Sequence, residues 1–573
     1  MLPPEILRIV LLIGLAATGY LLILAWTEDQ EKAQAPVAYS EAPLVAGEET
    51  VSAAPNVAGP ATQPDGDLPD ESLFIPSDAS QPAADQPAAA PAAQPANSRL
   101  VKVTTPSQVV WVDRLGGDIV RVQLPGYPVS LEQPDIPYQL LESSALHTYV
   151  AQSGLMGPDG TDGSGRTRPL FEYPADDVVL ETGGELVFNY TEAERTIRKI
   201  FTFQADDHLI DMRYEMDNQS GRQMTAALFA QIKRDARRPA SEESFALAPQ
   251  PFLGAAITTP DERYKKIEFE DVVEQRLEER VEGGWVAMLQ HYFLSAWVAP
   301  QDILNNFYGY RASDGLFRFG FTSQAQVVEP GTTGVWQAQF YAGPKDQKRL
   351  EDIAPNLNLT IDYGFLWWLA IPLFWLLDQL HNLVGNWGVA IILLTFIVKL
   401  VLYPLSAAGY RSMANLRRVA PAMKRLQERY GNDREKLSRE MMALYKKEGA
   451  NPLGGCLPML LPMPIFIALY WVLLESVELR QAPFFLWIED LAKMDPFFVL
   501  PLLMGASMYW MQSLSPQMGD PMQQKMMKFM PVMFTVLFLF FPAGLVLYWL
   551  VNNVLSVAQQ QYVYRQAEKA QAS

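Results

Sequence analysis

The sequence predicts a polytopic α-helical membrane protein with six transmembrane helices, five of them bundled in the C-terminal third, joined to an all-β domain outside the membrane. Two observations predict this fold class. Apolar stretches long enough to cross a bilayer occur near the N-terminus and again after residue 385. Between them lie short alternating apolar and polar runs bounded by Gly, Asp and Asn, which are typical of antiparallel strands.

Residues 1–26 are predicted to form an uncleaved N-terminal signal anchor, because the apolar stretch at 5–26 lacks the short core and cleavage site of a removable signal peptide. Residues 27–99 are rich in Ala, Pro, Gln, Asp and Glu. Between Thr27 and Ser98 there are twelve acidic residues and one basic residue, Lys32. Such a composition buries too little apolar surface to offset the entropy of ordering, so we expect a disordered acidic linker.

Residues 100–355 are predicted to form the all-β domain, a large antiparallel sandwich closed by a short helix at about 345–353. Runs such as GGELVFNY and DHLIDMRYEMDN alternate with the period of a half-buried strand. A domain of about 240 residues can bury a sufficient core without disulfides. Cys456 is the single cysteine of the chain, so no intramolecular disulfide can form.

Residues 361–384 favour an amphipathic helix in the membrane interface over a further span, because the Trp-rich stretch is interrupted by Pro372, Asp378 and His381. The five-helix region is predicted at 385–564. Its spans are expected at about 387–408, 456–477, 496–513, 526–541 and 544–562.

The loop after the second span is strongly basic. From Arg411 to Glu448, eleven Lys and Arg face five acidic residues, so the positive-inside rule places this loop in the cytoplasm. We predict a helical hairpin at 411–449 that ends at Gly449. This orientation puts the N-terminus and a short tail, 565–573, in the cytoplasm and the β domain outside. The basic charge could meet ribosomal RNA, anionic lipid or a nascent chain, although topology alone accounts for most of it.

Lys399 is the residue that most strongly indicates a functional site. It lies twelve residues after Trp387, so at 1.5 Å per residue it is about 18 Å from the start of its span. A charge at that depth costs about 2.5–3.5 kcal/mol. No Asp or Glu occurs at matching depth on another predicted span. Either a water-filled cavity reaches the ammonium group or an acidic ligand arrives from outside. The structural alternative is a lysine held by carbonyls and water for packing.

Polar residues on the last predicted span support a cavity. Asn553, Ser556 and Gln560 recur at steps of three and four and share a face with Trp549, and Thr395 lies one turn from Lys399. The alternative for Gln560 is that it marks the membrane interface together with its neighbouring glutamines.

The sequence predicts no enzyme, cofactor or metal site. It contains no Walker A loop, no H-E-x-x-H, no G-x-S-x-G and no Cys cluster, and four scattered histidines do not suggest metal binding. Two other functions stay open. A small-solute transporter could use Lys399 as an anion site, although transporters usually show repeats that are not found here. The β domain could also bind sugars, by fold analogy alone.

Long strings spread over the chain resemble the YidC/Oxa/Alb family of membrane protein insertases, in the Gram-negative form with a large periplasmic domain. They are GGWVAMLQHYFLSAW, IDYGFLWW, TFIVKLVLYPLS, EMMALYKKEGANPLGGCLPMLLPMPIFIALYWVL, SVELRQAPFFLWIEDL, DPMQQKMMKFMPVMFT and FPAGLVLYWLVNNVLSVAQQQ. The resemblance covers everything except the linker.

The resemblance implies a β-supersandwich in the periplasm and a bundle in the inner membrane that inserts and chaperones nascent membrane proteins, alone or with the Sec translocon (SecYEG and SecDF). It implies a hydrophilic groove, open to cytoplasm and lipid, in which one basic residue attracts polar or acidic parts of a substrate while apolar segments slide into the phospholipid bilayer along the third and fifth spans. It implies no DNA partner. The positions that match the family's groove are Lys399, Thr395, Tyr548, Trp549, Asn553 and Gln560.

Two departures from the family pattern affect the expected mechanism. Lysine stands at 399 where arginine is usual, which keeps the charge but loses the planar bidentate fork. Pro462 stands where a polar Gln is frequent, which removes one groove donor and is expected to bend the third span. The tail is short and weakly basic, so a ribosome-binding extension is not predicted.

Overall fold

The computed structural model describes Pro69, Leu73 and residues 99–163, 166–192, 194–239, 251–430, 433–447, 461–514 and 521–572. The predicted signal anchor at 1–26, nearly all of the linker at 27–99, Gly449 and Cys456 lie outside these residues. The chain divides into two compact units, one that includes Pro251–Ile361 with the strands before it, and one that includes Asp362–Ser573.

The first unit is built from strands, and its bounds are as follows: β1 Leu100–Thr104, β2 Val109–Asp113, β3 Asp118–Ser130, β4 Gln133–Ser143, β5 Thr148–Met156, β6 Asp177–Val179, β7 Gly184–Glu192, β8 Arg195–Phe203, β9 Leu209–Asn218, β10 Met224–Arg234, β11 Gly254–Ile257, β12 Lys265–Ile267, β13 Leu277–Glu282, β14 Trp285–Leu289, β15 Phe293–Val298, β16 Leu304–Arg311, β17 Phe317–Ser323, β18 Gln326–Val328 and β19 Thr333–Pro344. Two short helices, α1 Phe269–Glu274 and α2 Gln347–Ile353, and a 3₁₀ turn at Leu357–Thr360 complete it.

These strands form two large sheets. In the described part of the chain one sheet has eleven strands in the order β13-β16-β17-β10-β5-β4-β3-β2-β1-β6, with β18 beside β10, and the other has eight in the order β12-β11-β14-β15-β19-β9-β8-β7. The sheets pack face to face: the Tyr149 hydroxyl lies 2.7 Å from the Ser295 hydroxyl, and Trp297 Nε1 donates to the Gln231 carbonyl at 3.1 Å. The predicted β-sandwich is confirmed.

Leu73, which belongs to the predicted linker, is packed against this unit. Leu73 is 1% exposed, and the Thr322 hydroxyl donates to its carbonyl at 2.7 Å. Leu73 opens the apolar run Leu-Phe-Ile, which the polar average composition of the linker conceals. An apolar side chain of this kind gains roughly 1.5–3 kcal/mol when it is fully buried.

A charged cluster lies in the interior of the β unit. Arg168 donates to Asp162 at 2.8 Å and also to Asp118, and all three side chains are less than one tenth exposed. The ammonium group of Lys199 donates to the Gly116 carbonyl at 2.9 Å, and Lys199 is 0% exposed. Buried charges are tolerated when they are paired and hydrogen-bonded, so this cluster connects β3, β8 and the loop around residue 168.

We expect the β unit to gain stability as the pH rises from about 7 toward 10. Burial lowers the pKa of Lys199 to about 7, whereas a lysine in an unfolded chain titrates near about 10.4. Between these values the unfolded chain holds a proton that the folded chain lacks, so the free energy of unfolding rises with pH. Urea unfolding of the full chain, followed by tryptophan fluorescence, should show this rise, and Lys199→Met should flatten it. An equal slope in the variant would contradict the assignment.

The second unit is helical, with α3 Trp367–Val384, α4 Trp387–Val401, α5 Tyr403–Tyr430, α6 Arg434–Lys447, α7 Met463–Glu475, α8 Val499–Leu514, α9 Pro521–Phe538 and α10 Ala543–Ala572, and 3₁₀ turns at Gly364–Leu366 and Val477–Leu479. Helix α10 is the centre of this unit, because it contacts α4, α5, α7 and α8. It continues past the predicted end of its span at 562 and includes most of the predicted tail at 565–573.

The predicted span at 387–408 is interrupted. Helix α4 ends at Val401 and α5 begins at Tyr403, and the two axes are bent by 68°. Pro404 explains the break, because a proline has no N–H group to donate to the carbonyl four residues earlier, here that of Leu400, and its ring clashes with that carbonyl. Within the described residues, no single helix has the length and apolar character of a membrane span, whereas the bent pair formed by α4 and the first part of α5 does.

The basic segment folds as two packed helices. Leu416 and Val419 on α5 contact Leu444 and Tyr445 on α6. The first helix of this hairpin starts at Tyr403, earlier than the expected residue 411. Pro462 lies at the N-cap of α7, where a missing N–H group costs little. The start of α7 therefore accommodates this proline without a kink in the described helix.

Candidate functional site

Lys399 lies near the C-terminal end of α4 and faces α10. Its ammonium group donates to the Ser556 hydroxyl at 2.6 Å. The Ser556 hydroxyl donates in turn to the Asn552 carbonyl at 2.6 Å, so its oxygen lone pairs point toward the lysine. Tyr410 on α5 also hydrogen-bonds Ser556. The structure therefore gives Lys399 a polar neighbourhood made of hydroxyls.

No carboxylate of the described residues pairs with Lys399. Its described partner is the neutral Ser556 hydroxyl. No charged side chain of the described residues forms an ion pair with its ammonium group. An ammonium group carries three N–H donors, so two of them make no hydrogen bond with the described residues.

A row of polar side chains on α10 is buried between the helices. Asn552, Asn553, Ser556 and Gln560 are each 5% exposed or less. The Asn553 amide donates to the Ser507 hydroxyl on α8 at 3.0 Å. Buried polar side chains need hydrogen-bond partners inside the protein, because burial removes them from water. This row is the polar seam of the helical unit.

Gln560 lies at the other end of the polar seam. Its amide donates to the Tyr564 hydroxyl at 2.9 Å and lies 3.9 Å from the Met413 sulfur, while its carbonyl oxygen has no described partner. The Arg417 guanidinium lies 5.8 Å from the Tyr564 ring centroid. Gln560, Tyr564 and Arg417 thus extend the polar seam toward the hairpin formed by α5 and α6.

Thr395 lies one turn before Lys399 but makes a different contact. Its hydroxyl donates to the Ile391 carbonyl of its own helix at 2.7 Å, and the residue is 1% exposed. This bond satisfies the hydroxyl within α4. Thr395 therefore shares the helix with Lys399 without contacting it through a described hydrogen bond.

Tyr548 and Trp549 belong to an aromatic cluster. The Trp549 ring meets the Phe466 ring edge-on with centroids 4.6 Å apart, and Phe538 lies at 5.9 Å. Tyr548 stacks with Phe466 at 6.5 Å. Trp549 is 8% exposed and its indole N–H has no described acceptor. A buried indole donor without an acceptor is unusual and is available for a ligand that enters here.

The structure brings together only part of the predicted set. Lys399 meets Ser556, whereas Asn553, Gln560, Thr395 and the two aromatic residues contact other neighbours. Sequence reasoning missed Asn552, Ser507 and Tyr410, which complete the hydrogen bonds. Ser507 carries a weak signal, since it is a polar residue within an apolar helix. In the described ranges, no group of three His, Cys, Asp or Glu side chains could hold a metal ion.

Two family profiles cover the two units. Residues 100–376 match the family described as the YidC periplasmic domain, and residues 379–570 match the family described as the 60Kd inner membrane protein. Fold and site together therefore define a bacterial inner-membrane protein that carries a periplasmic β-sandwich.

Relatives along the whole chain give the family. The membrane protein insertase YidC of Cellvibrio japonicus is 48% identical over 98% of this chain and 98% of its own. That of Azotobacter vinelandii is 45% identical over 99% of each. A crystal structure of an active YidC insertase aligns at 18% identity and a TM-score of 0.36, covering 81% of this chain and 92% of that chain. The chain belongs to the YidC family of membrane protein insertases. This confirms the resemblance found in the sequence, and insertases are not enzymes.

Proposed function

We propose that this chain inserts, folds and helps assemble newly made inner-membrane proteins, alone or with the Sec translocon, through a groove that contains Lys399. The observation that carries the proposal is the pairing of Lys399 with a neutral hydroxyl. An ammonium group that has no described carboxylate partner is ready to attract an acidic or polar segment of a substrate.

The proposed groove comprises Lys399, Thr395, Tyr548, Trp549, Asn553 and Gln560. Ser556 holds the ammonium group through one hydrogen bond, so the two remaining donors can bind a substrate carboxylate or carbonyl. Lysine acts here as a point charge, and the bidentate geometry of arginine is not required. Because Thr395 and Trp549 are buried, a substrate that reaches them must separate the helices around the polar seam.

The apolar part of a substrate would move along α7 and α9 into lipid. Helix α9 presents an outward row of apolar side chains, each more than two fifths exposed: Phe529, Val532, Met533, Val536 and Leu537. Such a surface matches the acyl chains of the bilayer and an apolar substrate helix equally well. A substrate helix that leaves the polar seam can therefore replace its contacts with α9 by contacts with lipid without crossing a polar barrier.

The proposed topology has six spans, including the predicted anchor at 1–26, with both termini in the cytoplasm. The supporting feature is the excess of eleven basic over five acidic residues from Arg411 to Glu448. The hairpin formed by α5 and α6 is then cytoplasmic. Its charge suits the ribosome and the headgroups of anionic phospholipids.

Crosslinking tests the groove directly. A photo-crosslinking amino acid in place of Thr395 or Trp549 should capture a stalled nascent membrane protein, because both positions border the polar seam. The matched control is Tyr509 on α8, which is 62% exposed and lies outside the proposed groove. Equal capture from Tyr509, or none from the two groove positions, would contradict the proposed path.

A further inference from the structure

The segment that joins α7 to α8, residues 476–498, carries an exposed apolar tip. Phe485 is 57% exposed and Leu486 is 87% exposed. We call these two residues the loop tip. The sequence from 483 to 488 is Pro-Phe-Phe-Leu-Trp-Ile, without a charge. The role of Lys399 leaves this feature unexplained.

A buried carboxylate holds the loop in place. Asp495 is 0% exposed and accepts three hydrogen bonds: from Trp487 Nε1 at 2.9 Å, from the Phe497 amide at 3.0 Å and from the Leu500 amide at 2.6 Å. These donors satisfy the carboxylate without a cation. Through Trp487, the residue next to the tip is fixed to the beginning of α8.

The backbone of the loop has a specific and costly conformation. Among the described residues four non-glycine residues have positive φ, and three of them lie in this loop: Gln481 at 57°, Leu486 at 59° and Phe498 at 57°. An L-residue adopts this region at a cost, and it does so only where its surroundings impose it. The positive φ of Leu486 therefore indicates that the surrounding residues impose the backbone conformation in which its side chain points outward.

The loop is also attached to the start of α4. The Asn386 amide donates to the carbonyls of Pro483 and Phe484 at 3.2 and 3.3 Å. The Phe484 ring lies against Gly388 so closely that a Cβ atom there would be 2.0 Å from its Cδ2 atom. Phe484 thus points inward and anchors the loop, while the next two side chains point outward.

We propose that the loop tip inserts into the lipid at this end of the helical unit. Exposed apolar side chains also occur on the helices to which the loop is attached or adjacent in sequence: Leu383 precedes the α3–α4 turn, and Phe396 and Leu400 lie on α4. Two side chains offer a few hundred Å² at most, whereas a stable protein partner needs about 800 Å² on each side. A rigid, uncharged tip beside apolar helices suits the interfacial region of a bilayer.

This insertion would set the depth of Lys399. The loop is attached at the N-terminus of α4, and Lys399 lies about 18 Å further along that helix. With the tip anchored in lipid, α4 cannot move along the membrane normal without moving the tip. The functional importance of this depth rests on the proposed function. The proposed topology would place this end of α4, and with it the loop tip, at the periplasmic leaflet.

Site-directed spin labelling tests the inference. In the full chain with Cys456→Ser, a nitroxide at position 486 in phosphatidylethanolamine and phosphatidylglycerol vesicles should collide more with oxygen than with a water-soluble nickel chelate. Position 400 is the lipid-facing control and position 489, an exposed glutamate of the same loop, is the aqueous control. A label at 486 that behaves like the one at 489 overturns the inference, as does shielding from both quenchers, which would indicate a protein partner.

A second variant keeps the test independent of function. Gly388→Val should displace the Phe484 ring and shift the label at 486 toward the nickel-accessible state, while an unchanged reading would contradict the anchoring. Insertion activity is measured in the same vesicles. A tip in water with normal insertion rejects only the anchor, whereas normal insertion by Lys399→Glu with the tip still in lipid rejects only the groove.

Discussion

Lys399→Glu should reduce insertion of a single-span substrate with an acidic exported tail by about tenfold or more. A carboxylate at 399 repels the acidic tail where the ammonium group attracts it. Like charges placed next to each other in a binding interface cost several kcal/mol, and each 1.4 kcal/mol changes an equilibrium about tenfold. Protease protection of the exported tail in vesicles that contain the purified protein measures the effect.

Two variants separate charge from geometry at this position. Lys399→Arg should retain most activity, because the mechanism needs a cation and not a particular shape. Ser556→Ala removes the hydroxyl partner seen at 2.6 Å but leaves the charge, so it should reduce insertion less than Lys399→Glu. Similar amounts of each variant in the membrane, with the same limited-proteolysis pattern, control for folding. Normal insertion by the Glu variant would refute the electrostatic role.

The sequence identified Lys399 because a lone charge in an apolar stretch is a strong local signal. It did not identify the partner. The expected partner of an ammonium group is a carboxylate, whereas the described partner is a serine whose hydroxyl proton goes to a carbonyl of its own helix. Whether Ser556 or Asn553 meets Lys399 depends on the rotation of α10 against α4, which is set by packing over the whole bundle. Local periodicity shows only that the two residues share a face.

Helix ends were predicted less well than helix positions. The span expected at 387–408 breaks after Val401, although Pro404, which cannot donate a hydrogen bond to the carbonyl four residues earlier, carried the signal for this break. The loop tip at Phe485 and Leu486 could not be predicted at all. Its conformation depends on Asp495, a residue that an analysis of the sequence alone would place in a solvated turn. Only the fold shows that three donors surround it.

In the β unit too, the sequence pattern predicted the strands but did not predict which side chains meet between them. Alternation along β9 predicted the sandwich, because its buried and partly exposed residues follow the period of a strand. The charged cluster was not predictable. Asp118, Asp162 and Arg168 are ordinary loop and strand-end residues in the sequence, and they meet because β3 pairs with β5 and the segment that carries Arg168 folds back onto these strands. The largest stability effect of the chain is nevertheless expected from this cluster.

Arg168→Met should destabilise the β unit by about 3–5 kcal/mol, because it leaves two buried carboxylates without their cation. Arg168 donates to both Asp118 and Asp162 and also to the Ser153 carbonyl at 2.9 Å. The variant fills much of the same volume, so lost packing is not the main cause. Urea unfolding of the full chain at neutral pH, followed by tryptophan fluorescence, measures the difference.

The matched control is Lys265→Met, which breaks the pair with Glu279 at 2.8 Å, whose side chains are 34% and 38% exposed. A surface pair contributes about 0–1 kcal/mol, so this variant should unfold close to the wild type. The pH dependence of the free energy of unfolding of Arg168→Met gives a second test. Burial raises the pKa of Asp118, and without Arg168 this rise should grow. The folded variant would then hold a proton that the unfolded chain releases, so its stability should fall as the pH rises through the carboxyl range. Equal losses in the two variants would show that the cluster is no stronger than a surface pair.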